Sequence, residues 1–170
     1  PVSFREGGTV AAWYADEPAV RTTATYERLE SVPVEIAYVS SEEGPGGEVA
    51  SNLLDGDPTT IWHTMYSITV PKFPHWVDFD CNETKLIKGF TYLPRQDGSA
   101  NGNIHQYKVE LSTDGKQWQP AAEGSFSAGP AEKRVLFEKP ARARYLRFTA
   151  LSAQNGADFA SGAEFTVIAE

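Results

Sequence analysis

The stretch Asn52-Leu-Leu-Asp-Gly-Asp-Pro-Thr-Thr-Ile-Trp-His-Thr-Met-Tyr-Ser67 decides the fold and places two kinds of chemistry side by side. Its first half packs oxygen-bearing side chains around a tight turn, because Asp55 and Asp57 flank Gly56 and a proline follows. Glycine permits backbone angles that other residues resist, and proline fixes the next one. Such a turn can direct Asp55, Asp57 and an oxygen of Thr60 at one centre. The second half alternates aromatic and polar residues, as a binding surface does.

Two interpretations of this turn follow from its residues. Two carboxylates held close together repel each other unless a cation lies between them. Hard oxygen ligands in a flexible loop suit calcium, at distances of about 2.3–2.6 Å. The alternative is a loop whose Asp side chains cap their own backbone, since Asx-turns are common. The turn is not an EF-hand, because that loop needs its own Asp spacing and a closing Glu.

Length and charge limit the function classes. The 170 residues allow one ordinary domain plus an extension, and 41% hydrophobic residues are enough for a core. A formal net charge of −8 argues against binding nucleic acid and against docking on anionic membranes. No run of about 18 apolar residues could cross a bilayer. Cys81 is the only cysteine, which excludes an internal disulfide.

Apolar and polar residues alternate at period two along most of the chain, which is typical of short strands. Helical periodicity is nearly absent, with one short turn expected within 48–54. Many short strands between Gly- and Pro-rich turns predict an all-β sandwich or barrel. The intervening stretches 55–75, 94–104 and 152–162 are expected to carry binding residues. The predicted strands lie at 10–14, 20–29, 34–38, 77–81, 89–93, 107–111, 135–137, 146–150 and 165–167.

The composition changes near Glu30 and predicts two parts. Residues 1–30 form an extended, Thr-rich segment with too few strands to close a core. We interpret it as a linker or the tail of a preceding β domain, and 31–170 as the main domain. The start of the chain does not have the pattern of a signal peptide. The missing initiator Met predicts a fragment of a longer protein.

Several motifs in the main domain carry a family resemblance. They resemble the F5/8 type C (discoidin-like) fold and, within it, family 32 carbohydrate-binding modules. The first domain of galactose oxidases and the galactose-binding module of bacterial sialidases look most alike. The resemblance implies a β-sandwich jelly roll of the galactose-binding type with about eight main strands. The motifs are Leu54-Asp-Gly-Asp-Pro-Thr-Thr-Ile-Trp-His-Thr-Met-Tyr-Ser67, Pro74-His-Trp76, Gly89-Phe-Thr-Tyr-Leu-Pro-Arg-Gln-Asp-Gly98, Asn101-Gly102, Leu111-Ser-Thr-Asp-Gly-Lys-Gln-Trp118, Ala143-Arg-Tyr-Leu-Arg-Phe148 and Ala163-Glu164.

A second resemblance concerns the beginning of the chain. Pro1-Val-Ser-Phe-Arg-Glu-Gly-Gly-Thr-Val-Ala-Ala12 is similar to the closing strands of the small Ig-like domain of chitobiase-type hexosaminidases. It implies that the chain is the C-terminal piece of a large glycoside hydrolase.

The family resemblance also implies a structural calcium ion. Such an ion would join the first loop to the last strand, so that metal-binding energy becomes folding energy. The implied ligands are the backbone carbonyls of Asn52 and Ala163 together with Asp55, Asp57, Thr60 and Glu164.

A sugar site needs planar or bidentate groups for neighbouring hydroxyls and an aromatic face for the C–H patch of the ring. The resemblance implies galactose-type binding by five residues. Simpler roles remain open: the histidine as a structural hydrogen bonder, the arginine paired with Asp97, the asparagine in a turn, and both rings in the core. The length of the loop leaves Asn101 and Asn103 as alternatives, while Trp62 is assigned to the core. The five residues are His63, Tyr66, Arg95, Asn101 and Phe159.

The sequence thus predicts a monomeric, non-catalytic module for terminal galactose or N-acetylgalactosamine. It would hold the catalytic domain of its parent hydrolase on a glycan outside a bacterial cell, in the periplasm or on the outer surface. The alternative is a structural or interaction domain without sugar affinity. A membrane-binding discoidin domain needs basic residues beside apolar spikes, which the acidic charge disfavours.

Catalysis by this chain is disfavoured as well. No Gly-x-Ser-x-Gly, His-Glu-x-x-His or phosphate-loop motif is present. Asp78 and Asp80 could imitate the carboxylate pair of a glycosidase. We interpret them instead as the solvated side of an alternating strand.

Overall fold

The computed structural model describes residues 8–14, 16–26 and 30–170. The chain divides into two compact units, Pro1–Glu30 and Ser31–Glu170. In the first unit, strand β1 (Gly8–Tyr14) pairs antiparallel with β2 (Glu17–Tyr26). The last part of the extended stretch predicted at 20–29 lies outside the described residues. The assignment of this unit to a preceding domain stays a prediction.

The second unit is almost entirely β-structure, which confirms the predicted fold class. Its described part contains eight strands and one short 3-10 helix, Ala50–Leu54, inside the predicted turn. None of the described helices is long and apolar enough to span a bilayer. The strands are β3 (Glu35–Val39), β4 (Trp62–His63), β5 (His75–Leu93), β6 (Gln106–Ser112), β7 (Gln119–Ser125), β8 (Lys133–Ala150), β9 (Ser161–Gly162) and β10 (Glu164–Ala169).

Two long strands, β5 and β8, build the sandwich by taking part in both of its layers. The first part of β5 pairs with β3 and with the end of β8, which continues to β6 and β7. The later part of β5 pairs with β10 and with the beginning of β8. The register shifts between Asp80 and Lys85, where Asn82 has a φ of 64°. The strands predicted at 77–81 and 89–93 are therefore the two halves of one bent strand.

Aromatic side chains from both layers form the core. The ring of Phe165 stacks on Phe79 at 4.4 Å and on Phe90 at 5.2 Å, with interplanar angles of 7° and 8°. Phe148 lies 5.0 Å from Phe165. Offset aromatic pairs of this kind stabilise beyond the area that they bury. Trp62 is 1% exposed, which confirms its assignment to the core.

The interpretation of Asp78 and Asp80 as a solvated strand face is wrong. Asp78 is 6% exposed and accepts two hydrogen bonds from Arg147, at 2.6 and 2.7 Å. Asp80 binds Arg144 in the same way, and these bonds lower the pKa of its carboxyl. Alternation along one strand shows which residues share a face, but it does not show which side chains lie against that face. Here the two arginines come from β8, which pairs with β5. The carboxylates form structural ion pairs.

Glycine is required where β5 and β8 approach each other most closely. A Cβ atom at Gly89 would lie 2.1 Å from the backbone oxygen of Val135. Gly89→Ala must push the strands apart, and we expect it to lower the free energy of unfolding by about 2–3 kcal/mol. Urea denaturation measures this loss. Gly44→Ala is the control, because no atom lies within 4 Å of its added Cβ; equal midpoints for the two variants would contradict the close approach.

Candidate functional site

Loops at one end of the sandwich enclose a cavity of about 380 Å³. The structure brings all five predicted residues together in its wall, although they come from three separate segments. Asn103, the alternative to Asn101, is 6% exposed, forms a β-bridge with Ser161, and does not line the cavity. Glu48 and Ser99 complete the lining, which consists of Glu48, His63, Tyr66, Arg95, Ser99, Asn101 and Phe159.

His63 reaches the cavity because of the short strand that carries it. The preceding Trp62 points into the core and donates its indole N–H to the Ser41 carbonyl at 3.0 Å, so the next side chain faces the other way. The imidazole is 2% exposed, and its Nδ1 lies 2.7 Å from the Thr64 carbonyl oxygen. A carbonyl only accepts, so Nδ1 carries the proton. Nε2, at 3.2 Å from Asn101 Nδ2, is an acceptor.

Two aromatic rings flank the imidazole. The Tyr66 ring lies 5.1 Å from that of His63 at an angle of 88°, and the Phe159 ring lies 5.2 Å away at 47°. Tyr66 is 45% exposed and Phe159 is half-buried, so neither is a core residue. The cavity therefore offers aromatic surface beside fixed polar groups.

Arg95 forms the ion pair that we considered as its simpler role, and it also lines the cavity. Its Nε donates to Asp97 Oδ1 at 2.8 Å, and its Nη2 donates to the other carboxylate oxygen. Nη1 donates to the Asn101 carbonyl at 3.2 Å. The guanidinium lowers the pKa of the Asp97 carboxyl to about 2. These bonds hold the guanidinium plane in one orientation.

Glu48 is the charged residue of this cavity that sequence reasoning missed, and Ser99 is a second polar residue that it missed. Oε2 of Glu48 is buried and has no hydrogen-bond partner among the described residues. A buried carboxylate oxygen without a partner is costly in a folded protein. No feature of the sequence identifies Glu48 as a cavity residue, because a Glu in a Gly-rich polar stretch looks the same as any exposed Glu. Its position makes it an acceptor for a ligand in the cavity.

A second buried carboxylate, also missed, supports the Tyr66 loop. Glu43 is 0% exposed and accepts the backbone N–H groups of Tyr66 and Ser67 at 2.8 and 2.9 Å. It also accepts the Ser67 hydroxyl at 2.6 Å. The Ser67 hydroxyl, followed by the Tyr66 N–H, lowers the pKa of the Glu43 carboxyl. Glu43 thus fixes the backbone that presents the tyrosine ring.

The acidic turn caps its own backbone, as one of the two interpretations expected. Asp55 Oδ1 accepts the Asp57 N–H at 2.8 Å, and Asp57 Oδ1 accepts the Thr59 N–H at 2.9 Å. Thr60 Oγ1 donates to Asp55 Oδ2 at 2.7 Å. The Asn52 side chain donates to the Ile61 carbonyl at 2.8 Å, which closes the turn. The hydrogen bonds within the turn do not occupy every oxygen of the Asp55 and Asp57 carboxylates.

The remaining implied calcium ligands lie at the start of β10. Glu164 Oε1 is buried and lacks a hydrogen-bond partner among the described residues, and Ala163 is fully buried beside it. Burial, and then the charges of Asp55 and Asp57, raise the pKa of the Glu164 carboxyl. In the part of the chain that the structure describes, no three His, Cys, Asp or Glu side chains are grouped so that they could hold a metal ion. Carboxylate and carbonyl oxygens of the kind found here are the ligands that calcium prefers. Calcium binding stays a prediction.

The jelly-roll sandwich with a pocket between its end loops defines a domain of the galactose-binding-like class. The chain belongs to the F5/8 type C domain family, whose model matches residues 36–165. It is 38% identical to a sialidase from Micromonospora viridifaciens, over 98% of this chain and 26% of the sialidase. It is 39% identical to a galactose oxidase from Gibberella zeae, over 76% of this chain and 19% of the oxidase. The chain thus spans about a quarter or less of these relatives.

Similarity to solved structures narrows the class of domain to family 32 carbohydrate-binding modules. A family 32 module from Clostridium perfringens, in complex with GalNAc-β-1,3-galactose, is 30% identical with a TM-score of 0.73, covering 82% of this chain and 99% of the module. The C-terminal domain of a Bacteroides fragilis chitobiase is 26% identical with a TM-score of 0.71, covering 81% and 93%. Family 32 modules are non-catalytic carbohydrate-binding domains. The predicted family and jelly-roll fold are confirmed.

The lowered pKa of Glu43 predicts a pH dependence. A carboxyl whose pKa is lower in the folded state adds stability above its ordinary value of 4.5, and this stability is lost as the pH falls through the folded value. Glu43→Gln should therefore melt below the native protein at pH 7, and the difference should shrink below about pH 4.5. Thermal unfolding between pH 3 and 7 measures it. Glu138→Gln, at an exposed position, is the control; a constant difference across this range would contradict the role of Glu43.

Proposed function

We propose that this domain binds a terminal galactose or N-acetylgalactosamine residue in the cavity described above. The observation that carries the proposal is the convergence of His63, Tyr66, Arg95, Asn101 and Phe159 on one cavity. Loops far apart in sequence supply two aromatic rings and three hydrogen-bonding groups to it.

The chemistry of the cavity suits a hexose. Hydroxyl groups both donate and accept, so a hexose pairs best with a wall that offers both kinds of partner. Arg95 and the Asn101 amide supply donors, and the unpartnered Glu48 oxygen supplies an acceptor. The single lone pair of His63 Nε2 already accepts an Asn101 N–H, so a sugar hydroxyl that donates to it would replace that N–H. The Tyr66 ring offers an apolar face to the C–H groups of the sugar.

The names of similar proteins support a galactose-type ligand. Two solved family 32 modules from Clostridium perfringens are complexes with GalNAc-β-1,3-galactose and with galactose. Another relative, 33% identical to this chain, is an A type blood N-acetyl-α-D-galactosamine deacetylase from Flavonifractor plautii. A hexose has twelve non-hydrogen atoms, and at about 0.3 kcal/mol for each the dissociation constant is roughly millimolar.

Titration with galactose, N-acetylgalactosamine and N-acetylglucosamine tests the proposal. We expect the two galactose-type sugars to bind more tightly and to shift the amide resonances around the cavity. Arg95→Lys keeps the charge near Asp97 but loses the planar fork, so galactose should bind about tenfold more weakly. The melting temperature should change little, because lysine keeps the charge beside Asp97 and the Asp97 side of the ion pair is exposed to solvent.

The matched control is Arg142→Lys, at an exposed position of β8 outside the cavity. Unchanged galactose affinity in Arg95→Lys would contradict the proposed site. If no sugar binds at millimolar concentration, the alternative of a structural or interaction domain takes its place.

We infer that the module works outside the cell as a monomer within a longer glycoside hydrolase. The sialidase match covers 98% of this chain and so continues through most of residues 1–30, which the galactose oxidase match does not. This supports a sialidase-like parent at least as well as a chitobiase-like one. Linked copies of a weak module would gain affinity by avidity.

We also propose that calcium binds between the acidic turn and β10. The unpartnered Glu164 oxygen and the carboxylates of Asp55 and Asp57 support this, because burial, and then the charges of the two Asp residues, raise the pKa of the Glu164 carboxyl. The Thr60 oxygen and the carbonyls of Asn52 and Ala163 would complete the ligand set. When bound, the ion would neutralise these charges and join the turn to the last strand.

Thermal unfolding with calcium and with a chelator tests this site. Calcium at about 100 times its dissociation constant should stabilise the protein by about 2.7 kcal/mol. Glu164→Gln should remove most of this difference, whereas Glu138→Gln should retain it. Magnesium should substitute poorly, since it demands a smaller octahedral site. Identical melting with calcium and with chelator would contradict the proposal.

A further inference from the structure

A directed chain of hydrogen bonds runs from the loop before β9 into the cavity. The Ala157 N–H donates to Asn155 Oδ1 at 3.1 Å, and Asn155 Nδ2 donates to Asn101 Oδ1 at 3.1 Å. Asn101 Nδ2 then donates to His63 Nε2 at 3.2 Å. His63 Nδ1 completes the chain by donating to the Thr64 carbonyl at 2.7 Å. The chain thus begins and ends on backbone groups.

The two backbone groups determine which atoms between them donate a hydrogen bond and which atoms accept one. A backbone N–H can only donate and a carbonyl can only accept, whereas an amide can turn and an imidazole can change tautomer. Reversing either amide would leave two donors or two acceptors facing each other. The hydrogen-bond roles of Asn155, Asn101 and His63 are therefore fixed together.

We propose that Asn155 is a positioning residue that sets which atoms of the sugar site donate and which accept. This inference rests on the proposed function, but it adds a residue outside the cavity lining. Through Asn101, Asn155 fixes the hydrogen-bond roles of the His63 ring, with Nδ1 as the donor and Nε2 as the acceptor. The second N–H of the Asn101 amide is left as a donor. One sugar hydroxyl can then accept this second N–H, while a neighbouring hydroxyl that donates to Nε2 replaces the Asn101 N–H there, because that nitrogen has a single lone pair.

The loop that carries Asn155 is anchored well enough for this role. Gln154 donates to the carbonyls of Ile104 and Phe126, at 3.2 and 2.8 Å. The same loop carries Phe159, whose ring contacts His63. One loop therefore supplies an aromatic ring of the site and determines the direction of its hydrogen bonds.

Protonation of His63 opposes this arrangement. A second ring N–H would face the Asn101 N–H, so acid should weaken sugar binding. The charged and titratable groups around the imidazole are Glu48, Tyr66 and Arg95 in the cavity wall, and His75, whose pKa is lowered mainly by burial and in part by His63. Asn155 carries no charge, so its effect on the pH profile acts through the amide of Asn101.

Asn155→Asp reverses the chain without removing the side chain. A carboxylate still accepts the Ala157 N–H but cannot donate to Asn101. The Asn101 amide should turn to donate to the carboxylate, and its oxygen should face His63. Nε2 should then take up a proton, giving the imidazolium at neutral pH. Asn155→Ala only interrupts the chain, so it should leave the ring neutral.

Long-range ¹H–¹⁵N correlation spectra of the ring nitrogens distinguish these states in the sugar-free protein at pH 7. We expect the neutral Nδ1–H form in the native protein and in Asn155→Ala, and the imidazolium in Asn155→Asp. Galactose affinity should fall about two- to tenfold in Asn155→Ala, and its pH profile should change in Asn155→Asp. Gln117→Glu is the matched control, since it makes the same chemical change in the turn after β6.

Three outcomes are decisive. An Nε2–H tautomer in the native protein would overturn the proposal. So would the same His63 spectrum in Asn155→Asp as in Asn155→Ala, because Asn155 would then act only on loop structure. If the spectra change as expected but no sugar binds to the native protein, the positioning role stands and the proposed function fails.

Discussion

The pairing of β4 with β9, only two residues on each side, is the constraint on which the site depends. Trp62 pairs with Gly162 and His63 with Ser161. A Cβ at Gly162 would lie 2.8 Å from the Tyr92 ring, and the Tyr92 hydroxyl donates to the Ser161 carbonyl at 2.7 Å. The core of the sandwich thereby holds the pair in place. Since the tryptophan fills the core, the histidine must face the loops.

The site is stiff because the protein satisfies most of its own polar groups before a ligand arrives. Asp97 holds the Arg95 guanidinium, and Glu43 holds the backbone at Tyr66. Each of these bonds orders a side chain or a loop before binding, so the ligand does not pay the entropy of ordering it. What remains available is small in number: parts of the Arg95 and Asn101 donors and one oxygen of Glu48. A small, neutral ligand with several hydroxyls matches such a set.

Sequence reasoning predicted those features that depend on local pattern. Alternation located most of β6 and half of β10, and the aromatic–polar stretch located Trp62 and His63. It did not predict that 77–81 and 89–93 belong to one strand, because a bend around Asn82 leaves alternation intact on both sides. The membership of the cavity came from family resemblance, since no spacing rule joins residues 63, 95 and 159.

The missed residues share a physical reason. Glu43 is buried because the loop of residues 64–67 folds over it, and Oε2 of Glu48 is buried in the cavity wall. Burial of a carboxylate is a property of the tertiary structure. Their sequence context is a polar, Gly-rich loop, where an exposed glutamate is the ordinary expectation. The same holds for Asp78, whose partner Arg147 lies 69 positions away. Charged residues that form specific contacts are the least predictable part of this fold from one sequence.

The two halves of the opening stretch are also mechanically joined. Only Ile61 separates the acidic turn from β4, and its carbonyl accepts a hydrogen bond from Asn52 at 2.8 Å. An ion at the proposed calcium site would therefore steady the strand that carries His63 without touching a sugar. Coupling of this kind is reciprocal, because anything that favours the ordered turn also favours the ordered site. The position of the acidic turn directly before β4 would thus couple the proposed calcium site to the proposed sugar site.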